Sequence, residues 1–330
     1  MKKILITGAS GFIGSFIVEE ALRQGFDTWA AVRPSSSREY LRDERIHLIE
    51  LDLDNEEKLT EQLRPHCFHY VVHAAGVTKC NNPDDFARVN RDGTRHLLRA
   101  ISQQKSPVER VVFLSSLSVF GAIHEQQPYK PITDADTPQP NTAYGRSKLE
   151  AEQAALESRL PVIILRPTGV YGPRERDYFM MAKSIKGHID FAAGYKRQDI
   201  TFVYVLDVVQ ATFLALERGT VGRAYFLSDG QIYQSRAFSD LIHNALGRPW
   251  WIRIKAPILL LRAVCHLGEW WGRATGKVTA LNMDKYNILK QRNWQCDTEP
   301  ARRELGFTPQ YDLRRGVAET IRWYQENGWL

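Results

Sequence analysis

Tyr144 and Lys148 stand four residues apart in a stretch of helical character, Thr142 to Ser158, so one face of a helix carries both side chains. A free phenol, with a pKa of about 10, is a weak proton donor and acceptor near neutrality, and a neighbouring ammonium favours its phenolate. The pair is therefore expected to do general acid–base work, with Lys148 tuning Tyr144. Ser116 follows a short apolar run, Arg110 to Leu114, and a hydroxyl at a strand's end can hold the same substrate oxygen. Taken alone, Tyr-x-x-x-Lys is an ordinary exposed helix pair. Its meaning depends on what stands around it.

The first residues supply that setting. Ile4-Leu5-Ile6 is followed by Gly8, Gly11 and Gly14, and then by Ile13, Phe16, Ile17, Ala21 and Leu22 at helical spacing, which reads as strand, tight turn, helix. A side chain at Gly8 would clash in the turn, one at Gly11 would hold the backbone off a pyrophosphate, and one at Gly14 would push helix from strand. A dinucleotide diphosphate can then rest on the helix N-terminus, so Gly8, Ser10, Gly11, Phe12, Ile13 and Gly14 form its expected seat. With a nicotinamide present, a carbonyl gripped by Tyr144 and Ser116 can accept a hydride while Tyr144 delivers the proton. Lys148 would stabilise the phenolate and hold the nicotinamide ribose.

A second strand, Thr28 to Val32, ends at Arg33, where an NAD-selective site would place an Asp or Glu on the ribose hydroxyl. Arg33 can pair with a 2′-phosphate instead, which points to NADP(H), with NAD possible; the plain alternative is an exposed loop arginine. A third strand, His47 to Leu51, leads to Asp52, a candidate acceptor for the adenine amino group. Tyr70 to Gly76 reads as a buried strand whose end, Ala74, Ala75 and Gly76, lets backbone approach a cofactor. Pro83 to Lys105 reads as one long helix carrying Asn90, which is either a fourth site member, holding water or backbone, or a plain helix residue. Val162 to Leu165 is a sixth strand ending towards Pro167 and Thr168, and Ile123 to Gln139 is a polar loop long enough for a flap.

Strands alternating with helices imply an α/β fold, a doubly wound parallel sheet with ligands at its C-terminal edge. Beyond Tyr171 the alternation breaks into an aromatic-rich, smaller α+β substrate lobe. The expected division is residues 1–170, with about 200–227 returning (Ile200–Val205 and Asp207–Leu216 to the sheet), against 171–199 and 228–330. Phe120, Tyr178 and Phe179 lie in segments expected to face the cleft between them.

The 330 residues carry 44 Lys and Arg against 38 Asp and Glu, a net +6 without a basic block, which argues against a nucleic-acid interface. Four scattered cysteines fit reduced thiols and a cytoplasmic location, and no metal-ligand spacing recurs; His66, Cys67 and His69 lack a second ligand pair. Pro257 to Trp271 is apolar but short and holds Arg262, His266 and Glu269, so it does not span a bilayer. It suits a packed amphipathic helix, a substrate cover or a patch touching a membrane.

As a set, these pieces resemble the extended short-chain dehydrogenases/reductases, whose nucleotide-binding half is a Rossmann fold. The resemblance rests on Thr7 to Gly14, Asp52-Leu53, His73 to Gly76, Asn90 with Gly93-Thr94, Ser115-Ser116, Tyr144 to Lys148, and Arg166-Pro167 through Tyr171-Gly172-Pro173, with a closing Leu305-Gly306-Phe307 and Trp323-Tyr324. It implies Ser116, Tyr144 and Lys148 as the catalytic residues, with Asn90 as a fourth, Leu53, Pro167 and Thr168 among the cofactor contacts, and a homodimer. Sugar-nucleotide members resemble one another in an arginine seven residues before the Val-x-Asp aspartate, here Asp207, and that position is Ile200. Arg197 stands in as the substitute that keeps an epimerase or dehydratase open. The segment Ile200 to Val205, with Val32-Arg33 and Tyr171 to Arg174, looks more like dihydroflavonol-reductase and 3β-hydroxysteroid-dehydrogenase relatives, which act on apolar or ring-containing ketones and alcohols. A dinucleotide-binding sensor is the third reading, disfavoured because both Tyr144 and Lys148 are kept.

Overall fold

The structure, a computed structural model, describes residues 1–80, 82–126, 129–248, 250–275 and 282–330, without the side chains of 273 and 274. The first half alternates as the sequence pattern requires. β1 (Lys3–Thr7), α1 (Phe12–Arg23), β2 (Asp27–Val32), β3 (His47–Glu50), α2 (Glu56–Leu63) and β4 (Tyr70–His73) come first. A helical stretch follows, made of α3 (Pro83–Phe86), a π-helical segment Ala87–Asp92 and α4 (Gly93–Ser102). The long helix expected over Pro83 to Lys105 is thus interrupted by wider turns, and Asn90 sits within them. Such bulges recur where a side chain must be re-aimed. Then come β5 (Arg110–Leu114), α5 (Ala143–Glu157), β6 (Val162–Pro167) and β7 (Gly169–Tyr171).

Shorter elements complete the chain: α6 (Arg176–Lys186), β8 (Ile189–Ala193), β9 (Asp199–Ile200), β10 (Phe202–Tyr204), α7 (Val205–Arg218) and β11 (Ala224–Leu227). They are followed by β12 (Tyr233–Gln234), α8 (Ala237–Ala245), β13 (Ile252–Ala256), α9 (Ile258–Thr275), α10 (Met283–Lys290) and α11 (Leu313–Glu326).

Seven parallel strands form the main sheet in the order β11-β6-β5-β4-β1-β2-β3. The order reverses at β1, and such a switch point opens a crevice at the strands' C-terminal ends. Both faces are covered, as a parallel sheet needs. Ile4 and Ile6 pack with Val18, Val208 and Phe213 on one side, while Leu5 packs with Leu59, Leu97 and Ala151 on the other. A separate aromatic core joins Tyr171, Tyr204, Phe238 and Tyr324.

The sheet corrects one expectation. Ile200–Val205 does not return to it: β10 pairs with β7 in a separate two-stranded ribbon. The strand that does return is β11, beside β6, while α7 crosses a sheet face. A short apolar run cannot by itself announce which strand will be its neighbour.

Candidate active site

Gly8 has φ +68°, and a Cβ there would lie 2.6 Å from the Ala74 carbonyl oxygen, so this turn excludes any side chain on two grounds. A Cβ at Gly14 would stand 2.1 Å from the Gly8 carbonyl oxygen, and one at Gly11 3.1 Å from the same atom, which already accepts the Gly11 amide at 2.9 Å. Gly11 starts α1 without a side-chain cap, leaving the first amides of the helix, with Phe12 and Ile13, for an outside acceptor. Ala74 and Ala75 close on β1: their amides donate to the Thr7 carbonyl at 3.2 Å and the Thr7 hydroxyl at 3.3 Å. Ser10 lies in the turn between them and the helix.

Arg33 follows β2 directly. Its amide donates to Ser36 Oγ at 3.0 Å, and its guanidinium has no hydrogen-bonding or ionic partner among the described residues. Arg38, by contrast, is held by Glu50 at 3.0 Å. The Asp52 carboxylate accepts from the Asp54 amide at 3.0 Å, while the Leu53 carbonyl accepts from His96 Nδ1 at 2.8 Å. Pro167 ends β6, and the Thr168 amide donates to Leu227 at 3.0 Å. The hydroxyls of Thr168 and Ser115 are buried with no hydrogen-bond partner among the described residues. A glycine cradle, an uncapped helix start and orphaned hydroxyls fit a dinucleotide.

Tyr144 opens α5, with Thr142 as N-cap accepting from the Gly145 amide. Its ring lies edge-on to Phe86, centroids 6.1 Å apart. Burial pushes its phenol above the usual tyrosine range, and a hydrogen bond with Ser116 pulls the other way. Tyr144 is half-buried, Lys148 buried. Its Nζ donates to the Leu114 carbonyl at 2.6 Å, and burial pulls it down to about 7 against the pull of Glu152. The influences on the Tyr144 phenol are burial first and Ser116 second, and the expected lowering by the Lys148 ammonium is not among them. The phenol stays protonated at neutral pH.

Asn90 is tied to backbone rather than to open space. Its Oδ1 accepts from the Val77 amide at 2.8 Å, and its Nδ2 donates to the Val77 carbonyl at 3.0 Å and to Ser147 Oγ at 2.9 Å. It thus joins the loop after Gly76 to the residue before Lys148. A Cβ on Gly76 would come within 3.1 Å of Asn90 Oδ1.

Three features escape a sequence reading. Thr94 donates to the Asn90 carbonyl at 2.5 Å, so its oxygen must accept from His73 Nε2 at 2.9 Å, and His73 Nδ1 then accepts from Thr7 at 2.7 Å. Burial, with the Lys148 charge second, drives His73 down to about 3, so it is neutral here. The long loop after Phe120 is anchored, not loose: Gln291 Nε2 donates to the Gly121 carbonyl at 2.6 Å and Asn293 Nδ2 to the Lys130 carbonyl at 2.8 Å. Phe120 packs on Phe226 in the core, and Tyr178 and Phe179, half-buried, pack on Phe238 and Tyr324.

The third is Asp284 on α10. Its two carboxylate oxygens accept the amides of Ala143 at 3.0 Å and Tyr144 at 3.2 Å, placing a negative charge on the N-terminus of the helix that carries the phenol. Asp284→Ala frees both amides, and turnover is expected to fall about tenfold through misplaced Tyr144, with a lower Tm and unchanged cofactor Kd. Steady-state kinetics beside cofactor titration checks this; equal turnover would leave Asp284 a purely structural contact.

Comparisons with known proteins agree with this geometry. A family model described as the NAD dependent epimerase/dehydratase family matches residues 4–228. The 4-hydroxy-2-methyl-3-oxo-4-farnesyl-3,4-dihydroquinoline-1-oxide ketoreductase of Stigmatella aurantiaca is 26% identical over 330 residues, covering 96% of this chain and 94% of that protein. Sterol-4-alpha-carboxylate 3-dehydrogenase of Dictyostelium discoideum is 24% identical over 339 residues, covering 97% and 100%. The crystal structure of a Streptomyces venezuelae dTDP-glucose 4,6-dehydratase with NAD bound superposes with a TM-score of 0.80 at 24% identity, over 99% of this chain and 98% of that one, and so shares the fold. Among the described residues no helix is long and apolar enough to cross a membrane. With the matched segment running from the glycine turn past α5 to β11, the chain belongs to the NAD-dependent epimerase/dehydratase family and is an enzyme of the extended short-chain dehydrogenase/reductase type.

Proposed function

We propose that the protein is an NADP(H)-preferring oxidoreductase that interconverts a ketone and a secondary alcohol on an apolar or ring-containing substrate. The observation that carries this reading is the half-buried, protonated Tyr144 phenol beside Ser116, at the same strand end that Lys148 grips. The bound nicotinamide would supply the hydride to the carbonyl carbon. Ser116 and Tyr144 hold the carbonyl oxygen, and the Tyr144 proton passes to it as the C–O double bond becomes single, leaving a phenolate that proton uptake restores. Asn90 and Lys148 position α5 and β5 around that oxygen. Gly8, Gly11, Gly14 and the start of α1 would hold the diphosphate, Arg33 the 2′-phosphate, and Asp52 the adenine. Residues 1–170 with about 200–227 would carry the cofactor, and 171–199 with 228–330 the substrate. The names of the ketoreductase and sterol dehydrogenase relatives favour an apolar substrate.

The sugar-nucleotide reading needs a diphosphate clamp, and Arg197, its candidate, is engaged by Asp199 through two bonds of 2.8 Å. A screen of NADPH oxidation across ketosteroids, flavonoid-like ketones and sugar nucleotides tests the proposal. Cofactor retained through purification with turnover only on sugar nucleotides would reverse it. Arg33→Ala is expected to weaken NADPH about tenfold or more while leaving NADH affinity unchanged, since only the 2′-phosphate loses a charged donor. Equal losses for both cofactors, read by fluorescence titration, would remove Arg33 from cofactor choice.

A further inference from the structure

β13 pairs with β8 in a parallel ribbon, with Ile252 opposite Ile189 and Ile254 opposite Phe191. Side chains alternate along strands, so these four share one face, and they are 60%, 39%, 42% and 62% exposed respectively. The other face turns inward, where Asp190 is buried against Arg236 and Arg253. The ribbon runs through Pro257 into α9, whose Leu261 and Cys265 pack on Tyr286 of α10. Its remaining surface leaves Leu259, Leu260, Leu267, Trp270 and Trp271 between 56% and 78% exposed. Patches of this kind mark a contact surface, not an isolated stray residue.

Among the described residues, the charges around this surface that lack a partner are basic. Lys186, Lys196, Lys255 and Arg262 are exposed and have no acidic partner among the described residues. The local acids are already engaged: Asp190 by Arg236, Asp240 by Arg253 at 2.9 Å, and Glu269 by the Met283 amide at 3.1 Å. Pairing with a second copy across a two-fold axis would set like charges against like. Among the described residues no helix is long and apolar enough to cross a bilayer, so the contact considered is with a bilayer's surface.

We propose that α9 and the β8–β13 ribbon form a docking face for an anionic lipid bilayer, with Trp270, Trp271, Phe191 and Ile254 entering the headgroup boundary and Arg262 meeting lipid phosphates. The full-length protein is sedimented with vesicles of phosphatidylcholine alone and with about one third phosphatidylglycerol. Binding is expected to be about tenfold stronger to the anionic vesicles and to weaken as salt rises. Arg262→Glu is expected to lower that preference about fivefold. Trp270→Ser with Trp271→Ser is expected to lower binding to both vesicles about tenfold, with the melting temperature kept because both side chains are exposed. Quenching of tryptophan fluorescence by brominated lipid gives the depth. Binding to neither vesicle, binding indifferent to these substitutions, or a dimer that the tryptophan substitutions dissolve would each overturn the proposal.

Discussion

Tyr144→Phe is expected to lower turnover at least about a hundredfold while leaving cofactor Kd and the melting temperature near those of the parent protein. The reason is local. The substitution keeps a ring of the same shape edge-on to Phe86 and deletes only the hydroxyl that bonds Ser116. Thr142 and Asp284 still cap α5, so the helix holds its place. What disappears is the phenol that stands beside Ser116 and is protonated at neutral pH. Ser116→Ala should cost less, because it removes a holding bond and leaves the proton donor. The two variants, compared by single-turnover rates with NADPH, separate proton delivery from substrate holding. Turnover of Tyr144→Phe equal to the parent would take the reaction away from this residue.

The parts of this site that were legible in the sequence are those in which one residue type is forced by its own backbone or by its near neighbours. Gly8 is such a case, since a positive φ and a backbone contact leave glycine alone. Tyr144 and Lys148 are another, because helical spacing is enough to bring them to one face. Where partners come from afar, the sequence was silent. Asp284 lies 140 residues beyond Tyr144 and meets its amide only because α10 packs against the start of α5. Lys148 shows a subtler failure. Spacing placed it on the helix face of the phenol, yet burial, against the pull of Glu152, decides its charge, and that burial depends on β5 lying beneath. The wider turns at Ala87–Asp92 differ from an α-helix by one residue of register, which no apolar periodicity reports. Ile200–Val205 failed for the same reason as any short strand: its partner, β7, is chosen by tertiary packing.

Gly8→Ala is expected to lower cofactor affinity about a hundredfold or more and to lower the melting temperature, and Gly25→Ala shows why both are read together. Both glycines have positive φ, +68° and +79°, so each substitution carries the backbone strain of a left-handed residue, on the order of 1 kcal/mol. Gly25 has nothing within 4 Å of an added Cβ, so strain is all it gains. At Gly8 the added carbon would stand 2.6 Å from the Ala74 carbonyl oxygen and 2.7 Å from the Ala75 nitrogen. Neither neighbour is a flexible side chain that can step aside. Relief requires the β1 turn to move away from the end of β4, which widens the crevice at the strand-order reversal and shifts the uncapped start of α1. Gly25→Ala should therefore lose a little stability and no cofactor affinity, while Gly8→Ala loses both. If the two variants bound NADPH equally well, the glycine turn would be a folding feature, and the dinucleotide would have to sit elsewhere.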